Sequence, residues 1–293
     1  MNDALAQLQD DLQAVGYVAE RDLASTLDLA VQMRKPLLLE GDAGVGKTEV
    51  AKALSRLFDC QLIRLQCYEG LDTNAAVYEW NYQHQLMAIK LQERNERSAS
   101  DAEKHIFSRT YLLERPLLRS ISQTESPVLL VDEIDRADEE FEAYLLEVLS
   151  DFQITIPELG TVEATTLPYV ILTSNGTREL SDALRRRCLY HYVDFPSFDK
   201  ELSIVLTRLP DIGQRLAGQI VGYVQGLRKL DLRKHPGIAE TLDWAAALVN
   251  RKVAALGDNP ETVIDSLACL LKTREDREAL VPAVSERLVA KAS

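Results

Sequence analysis

The amino-acid sequence predicts an α/β fold with a parallel sheet of buried strands, followed by a smaller region made of helices. The first observation is a set of short, largely apolar runs, which lie at 36–40, 61–66, 128–131 and 169–173. Such runs are typical of strands that a parallel sheet buries on both faces. Segments with apolar residues at helical spacing separate the runs, which indicates βαβ units. From Asp199 onward only amphipathic helical segments remain, punctuated by prolines.

Three regions are expected along the chain, namely N-terminal helices, an α/β core and a helical lid, with the bounds 1–34, 35–197 and 198–293. The apolar spacing in the first region predicts two helices that break near Gly16. The polar and charged stretch from about 80 to 110 is interpreted as an insertion or mobile excursion rather than a core element. Alternating apolar and polar residues over 151–162 predict a β-hairpin before the fourth strand.

The chain is acidic, with 46 aspartates and glutamates against 33 lysines and arginines and a formal net charge of −13. Its average field repels phosphate backbones and anionic membranes, so nucleic acid is not an expected partner. No apolar run approaches the roughly 20 residues that span a bilayer, and the N-terminus lacks the features of a secretory signal. The four cysteines have no metal-ligand spacing. We therefore expect a cytoplasmic protein without an integral membrane segment.

A glycine-rich segment follows the first predicted strand and precedes a helical pattern. It matches the Walker A pattern G-x-x-x-x-G-K-[ST], with the residues Gly41, Asp42, Ala43, Gly44, Val45, Gly46, Lys47 and Thr48. The glycines let backbone N–H groups curve round a phosphate, and the N-terminus of the following helix faces the same anion. Lys47 is predicted to bridge the β- and γ-phosphates of ATP, and the Thr48 hydroxyl to bind Mg²⁺. A purely structural glycine-rich turn is the alternative.

The third apolar run ends in two carboxylates, Asp132 and Glu133, which form a Walker B pattern. Strand alternation is expected to place them on opposite sides, with Asp132 holding the Mg²⁺ shell and Glu133 polarising the attacking water. Alone, such a pair is often a solvated helix start. Together with the glycine-rich loop it predicts ATP hydrolysis. Asn175 follows the fourth run and is expected at the same sheet edge, near the γ-phosphate and the water, with a turn-forming asparagine before Gly176 as the alternative.

The order of these motifs resembles that of AAA+ ATPases of the MoxR branch, and within it CoxD-like proteins. The resemblance covers roughly residues 20 to 250 and is carried by the segments EGDAGVGKTE, LQCYEGLD, AVYEWNY, DEIDRADEEFEAYLLEVLSDFQITIPELGT and RRRCLYHYVDFP. It implies a P-loop NTPase with a parallel five-stranded αβα core and a smaller all-helical lid. It also implies a homo-oligomeric ring, usually a hexamer, in which ATP lies between subunits.

The resemblance further implies roles for polar residues around the nucleotide. Asn175 corresponds to sensor 1, and Arg187, or else Arg186, to the arginine finger that reaches the γ-phosphate bound by a neighbouring subunit. A guanidinium suits this role because its planar fork stabilises charge spread over several oxygens. The alternative is that the run from Arg185 to Arg187 solvates a helix end or interacts with its dipole.

Other features of the branch are matched less closely. Gln66 corresponds to a polar switch next to Walker B, and an ordinary strand-end glutamine is the alternative. The stretch 235–241, where the branch usually has a sensor 2 arginine, contains none, and Arg233 is nearby but not aligned, so sensor 2 stays unassigned. The 80–110 stretch and the 151–162 hairpin correspond to insertions that line the pore of a ring, with surface decoration as the alternative.

The function implied by the resemblance is a motor that couples ATP hydrolysis to the remodelling of a client protein. For CoxD-like members, this means maturation of a metallocofactor enzyme, such as the molybdenum hydroxylase carbon monoxide dehydrogenase, with a partner that carries a von Willebrand factor A domain. The first alternative is a nucleic-acid motor or loader, which the net acidity and the lack of a basic, aromatic stripe disfavour. The second is a monomeric P-loop kinase or GTPase, and the absence of an Asn-Lys-x-Asp segment disfavours the GTPase.

Overall fold

The structure, a computed structural model, describes residues 2–92, 106–258, 260–280 and 282–292. The chain divides into two compact units. The sheet unit comprises residues 22–40 and 54–192, and the lid unit comprises 1–21, 41–53 and 193–293. The three regions expected from the sequence stay a prediction.

The sheet unit is built around a five-stranded parallel sheet, which confirms the predicted fold class. Its strands, with those of two small antiparallel sheets, are β1 (Leu37–Glu40), β2 (Leu62–Gln66), β3 (Tyr78–Trp80), β4 (Leu112–Glu114), β5 (Val128–Asp132), β6 (Gln153–Ile156), β7 (Gly160–Glu163), β8 (Tyr169–Ser174) and β9 (Leu189–Tyr192). The large sheet has the order β2-β5-β8-β1-β9, and each of its strand pairs is parallel. Every residue of β5 is buried, as the apolar run predicts.

The helices are α1 (Asn2–Ala14), α2 (Arg21–Met33), α3 (Lys47–Leu57), α4 (Thr73–Ala76), α5 (Tyr82–Gln92), α6 (Pro116–Ile121), α7 (Glu139–Asp151), α8 (Asp182–Arg187), α9 (Phe198–Arg208), α10 (Gln214–Leu227), α11 (Ile238–Asn250), α12 (Pro260–Ser266), α13 (Arg274–Ala279) and α14 (Pro282–Ala292). The predicted break between the first two helices is confirmed, and Gly16 lies in it with φ of +84°. From α9 onward the described residues form a helical C-terminal region, as predicted.

Helix α7 shows how the sequence covers the sheet. Its apolar face is buried in the core of the sheet unit, and its members are Phe141, Leu145, Val148 and Leu149. Glu142 is buried as well, which the sequence did not predict. A buried carboxylate is tolerated when it is paired and hydrogen-bonded, and Glu142 forms a salt bridge with Arg178 and accepts a hydrogen bond from the Ser181 backbone N–H at 2.9 Å.

The interpretation of the 80–110 stretch as lacking core elements was wrong at its start, where Trp80 is buried, and near its end, where Phe107 packs against the core of the sheet unit. Strands β3 and β4 pair antiparallel, and Trp80, Tyr111 and Leu112 are buried in the core of the sheet unit. The buried residues belong to two short segments that contain aromatic side chains. A long polar stretch separates these segments, so the sequence pattern does not show them as a pair of strands. The most polar part of the stretch, 93–105, lies outside the described residues.

The predicted β-hairpin is present and separates α7 from β8. Strands β6 and β7 pair antiparallel, from Gln153 opposite Glu163 to Ile156 opposite Gly160. Ile154 and Ile156 are buried in the core of the sheet unit. The hairpin is thus fixed at its base, while Pro157 and Glu158 at its tip are exposed.

The lid unit has an apolar core of its own, formed largely by α9, α10 and α11. Tyr223 and Trp244 are its largest fully buried side chains. Arg228 and Glu201 form a buried ion pair within it, with 2.6 Å between Nη1 and Oε2. Within the parts of the chain that the structure describes, no helix combines the length and the apolar character needed to cross a bilayer.

Candidate nucleotide site

The glycine-rich loop lies in the lid unit and leads directly into α3. Gly41, Gly44 and Gly46 have positive φ angles of +154°, +85° and +98°. A Cβ atom at Gly41 would lie 2.2 Å from the backbone oxygen of Val193. At these positions the backbone therefore requires glycine.

Lys47 is the first residue of α3 and is buried. Its Nζ donates hydrogen bonds to the backbone oxygens of Gly41, at 2.6 Å, and Asp42, at 2.7 Å. The side chain thus folds back over its own loop, while Asp42, Ala43 and Gly44 are exposed. Exposed backbone at the N-terminus of a helix, with an ammonium group beside it, is an arrangement that binds phosphate.

The N-terminus of α11 packs against this loop. The backbone N–H of Ile238 donates to the Gly44 oxygen at 2.9 Å. A Cβ added to Gly44 would lie 2.9 Å from the Cα atom of Gly237. The two backbones are therefore in direct contact.

A cavity of about 380 Å³ lies beside this contact, lined by the loop residues 42–44 and by lid residues. Basic side chains contribute to the lining, namely Arg233, Lys234, His235 and Lys272. Arg233, Lys234 and Lys272 are exposed. Arg233 is the residue that the sequence places near the sensor 2 position without aligning it, and His235 is the first residue of the 235–241 stretch. Lys234 and Lys272 were not predicted as site residues.

Asp132 ends β5 in the sheet unit, and its side chain is only 4% exposed. Its Oδ1 accepts a hydrogen bond from Thr173 Oγ1 on β8, and its Oδ2 accepts one from Arg64 Nη2 on β2, each at 2.5 Å. The strands on both sides of β5 therefore hold the carboxylate. Neither Arg64 nor Thr173 was predicted as a site residue.

Glu133 leaves the strand instead of continuing it. Its backbone is left-handed, with φ of +56°, and its N–H donates to Thr173 Oγ1 at 2.9 Å. The expected strand alternation between Asp132 and Glu133 was thus wrong, because the strand ends at Asp132. The Glu133 carboxylate accepts a hydrogen bond from Gln66 Nε2 at 3.2 Å and forms an ion pair with Arg136, with 3.0 Å between Oε2 and Nε.

Asn175 follows β8 at the carboxyl edge of the sheet, where Gly176 has φ of +69°. The turn is fixed by Asp135, whose Oδ2 accepts hydrogen bonds from the Thr177 N–H at 3.0 Å and from the Thr177 hydroxyl at 2.6 Å. Burial of Asp135 acts to raise its pKa, but these bonds and one from the Asn175 backbone hold the pKa below its usual value. Asp135 is a positioning residue that sequence reasoning missed, although it belongs to the Asp-Glu-Ile-Asp segment.

The three consecutive arginines of α8 differ in their surroundings. Arg185 forms an ion pair with Glu40 at 3.2 Å. Arg187 is exposed and contacts the Ser150 hydroxyl. Arg186 is exposed. Arg185 is therefore held by an ion pair within the sheet unit, whereas the side chains of Arg186 and Arg187 are exposed to solvent.

The parallel sheet, the glycine-rich loop and the carboxylates at a strand end define a P-loop ATPase. Residues 36–188 match the family model described as AAA domain (dynein-related subfamily), which is more than half of the chain. The chain belongs to this AAA family and is an AAA+ ATPase. Members of this class bind nucleotide and typically assemble in rings.

The chain is also similar to individual proteins. An uncharacterised protein of Staphylococcus aureus (strain USA300) is 27% identical over 205 residues, covering 68% of this chain and 70% of the relative. An uncharacterised protein of Staphylococcus epidermidis (strain ATCC 35984) is 26% identical over 226 residues, covering 75% of this chain and 77% of the relative. A variant of Thermotoga maritima RuvB has a similar fold, with a TM-score of 0.51, 17% identity and coverage of 86% of this chain and 70% of that one.

Proposed function

We propose that this ATPase is a ring-forming motor of the MoxR branch, similar to CoxD-like proteins, that uses ATP hydrolysis to remodel a client protein. The observation that carries the proposal is the hairpin of β6 and β7. It is anchored in the core by Ile154 and Ile156, and its tip is exposed. In a hexameric ring, such a tip is suited to gripping a polypeptide.

The proposed hydrolysis uses the residues predicted from the sequence. The loop amides of 41–46 and the Lys47 ammonium bind the phosphates of ATP. Thr48 and Asp132 hold Mg²⁺, and they fit this ion because a hydroxyl and a carboxylate are the oxygen donors that it prefers. Asp132 already accepts a hydrogen bond from a guanidinium in the structure, as an ionised carboxylate does. When bound, Mg²⁺ neutralises negative charge on the phosphates.

Glu133 is the proposed general base, which orients and polarises the attacking water. The hydrogen bond from Gln66 and the ion pair with Arg136 fix the carboxylate beside the end of β5. Asn175 is proposed to contact the γ-phosphate and the same water. The finger from the neighbouring subunit is Arg187 or else Arg186.

We expect Arg187→Ala to lower ATP hydrolysis by about 10³-fold, because an arginine finger stabilises charge that develops on the phosphoryl group. Its affinity for ATP should change by less than about twofold, because the finger acts in the transition state. Phosphate release and calorimetry measure the two quantities. Arg186→Ala tests the second candidate, and Arg119→Ala is a matched control, since Arg119 is also exposed. Full hydrolysis in both finger variants would remove α8 from the catalytic mechanism.

For the client we propose a metallocofactor enzyme, such as the molybdenum hydroxylase carbon monoxide dehydrogenase, acting with a von Willebrand factor A domain partner. The resemblance described above supports this client class. The hairpin supports a protein client over a nucleic acid, because residues 151–163 include Asp151, Glu158 and Glu163 and no lysine or arginine. Such a surface repels a phosphate backbone.

Affinity capture with the Glu133→Gln variant in ATP tests the proposal. The arrested motor should retain a metalloenzyme subunit and the partner protein, and both should be lost when ADP replaces ATP. Purified client should also stimulate hydrolysis by the wild-type protein. Stimulation by DNA that declines steeply with salt, without stimulation by any captured protein, would contradict the proposal and support a nucleic-acid motor.

A further inference from the structure

Arg64 connects the two carboxylates of the Walker B segment. Strand β2 pairs with β5 so that Arg64 lies opposite Leu130 and Gln66 lies opposite Asp132. Arg64 and Gln66 are two positions apart and therefore share one face of the sheet. The Nη2 of Arg64 reaches both the Gln66 Oε1 and the Asp132 Oδ2, each at 2.5 Å.

Gln66 continues the connection to the proposed base. Its Oε1 accepts a hydrogen bond from Arg64, and its Nε2 donates one to Glu133 at 3.2 Å. The side chains therefore form an unbroken chain from Asp132 through Arg64 and Gln66 to Glu133. A change at one end of such a chain alters the hydrogen bonding at the other.

The two partners in the Arg64–Asp132 ion pair differ in burial. The Asp132 side chain is 4% exposed, whereas the Arg64 side chain is 52% exposed. A carboxylate this buried needs a compensating positive charge. The guanidinium is half in solvent on a long, flexible stem, so it can leave at small cost.

We propose that Arg64 is a built-in counter-cation of Asp132 that the magnesium nucleotide must displace. Arg64 then sets the Mg²⁺ concentration that nucleotide binding requires, because its charge opposes a second cation beside the same carboxylate. Its departure also releases Gln66, so the hydrogen bonding of Glu133 changes only after the metal site is filled. This inference depends on the proposed nucleotide site.

The test measures binding of ADP by calorimetry while Mg²⁺ is titrated, so it needs no turnover. Arg64→Gln removes the charge and should lower the Mg²⁺ concentration for half-maximal binding by roughly fivefold, as expected for one unit charge in partly exposed surroundings. Formation of the metal–nucleotide complex in solution is the same for every variant and cancels in the comparison. Without metal and nucleotide, Arg64→Gln should melt about 2 to 4 °C below the wild type, because the buried Asp132 carboxylate has lost its ion pair with Arg64.

Two further variants separate charge from other effects. Arg64→Lys keeps the charge and should stay within about twofold of the wild-type Mg²⁺ midpoint. Arg274→Gln is the matched control, since it removes an arginine from an exposed pair with Glu278. An unchanged midpoint in Arg64→Gln, in a wild type that binds Mg·ADP, would overturn this inference and leave the nucleotide site intact. A wild type that binds no ADP at any Mg²⁺ concentration would overturn both.

A crystal structure of the wild-type protein with Mg·ADP decides the question even if Arg64→Gln does not fold. We expect the Arg64 guanidinium to have left the Asp132 Oδ2, with Gln66 rearranged. Retention of that ion pair in the loaded protein would refute displacement.

Discussion

Replacing Glu133 by glutamine is expected to leave ATP binding unchanged and to lower turnover by about 10²- to 10⁴-fold, the usual contribution of a general base. Glutamine keeps the shape of the side chain and an acceptor oxygen for Gln66, but its amide cannot take a proton from water. Phosphate release at saturating ATP gives the turnover, and calorimetry gives the affinity.

The matched control for this experiment is Glu140→Gln. Glu140 is exposed on α7, and its carboxylate has no proposed role. The control should hydrolyse ATP at the wild-type rate. A Glu133→Gln variant with wild-type turnover would show that another group activates the water.

Replacing Lys47 by alanine is expected to abolish measurable nucleotide binding, with Kd raised by at least roughly 100-fold. The reason is the loss of charge-assisted hydrogen bonds to the phosphates. The ammonium is already held beside the loop by the oxygens of Gly41 and Asp42, so little ordering is needed when phosphate arrives. Calorimetry with Mg·ATP and with Mg·ADP measures the effect.

Lys52→Ala is the control for Lys47→Ala. Lys52 lies on the same helix, but it is exposed and forms a pair with Glu49 at 3.2 Å. The control should bind ATP like the wild type. Melting curves of both variants report whether the loop keeps its fold, and wild-type affinity in a folded Lys47→Ala variant would mean that the loop is not the phosphate site.

Part of the fold could be predicted because the relevant signal is local. The strands β1, β5 and β8 are buried on both faces and appear in the sequence as continuous apolar runs. Strand β9 does not appear as such a run, because it lies at the edge of the sheet and its residues Tyr190 and Tyr192 are exposed. The β3–β4 pair was missed for a related reason, since each strand has three residues and the pairing joins distant segments.

The same distinction applies to the site. The glycine-rich loop and the Asp132–Glu133 pair follow local patterns and were found. The contacts of Arg64 and Thr173 with Asp132 depend on which strands are neighbours, which no pattern within one strand reveals. Lys234 and Lys272 likewise line the cavity beside the glycine-rich loop only because of how the lid unit packs, which no local pattern reveals.

The contact between Gly44 and Gly237 gives the lid unit a stiff mechanical linkage. No side chain lies between the two backbones to absorb a displacement, and the hydrogen bond from Ile238 fastens them together. A loop that shifts when a phosphate group enters or leaves must therefore carry the start of α11 with it. A methyl group at either glycine would force the two backbones apart. The absence of a side chain at both positions is therefore what couples a movement of the loop to a movement of α11.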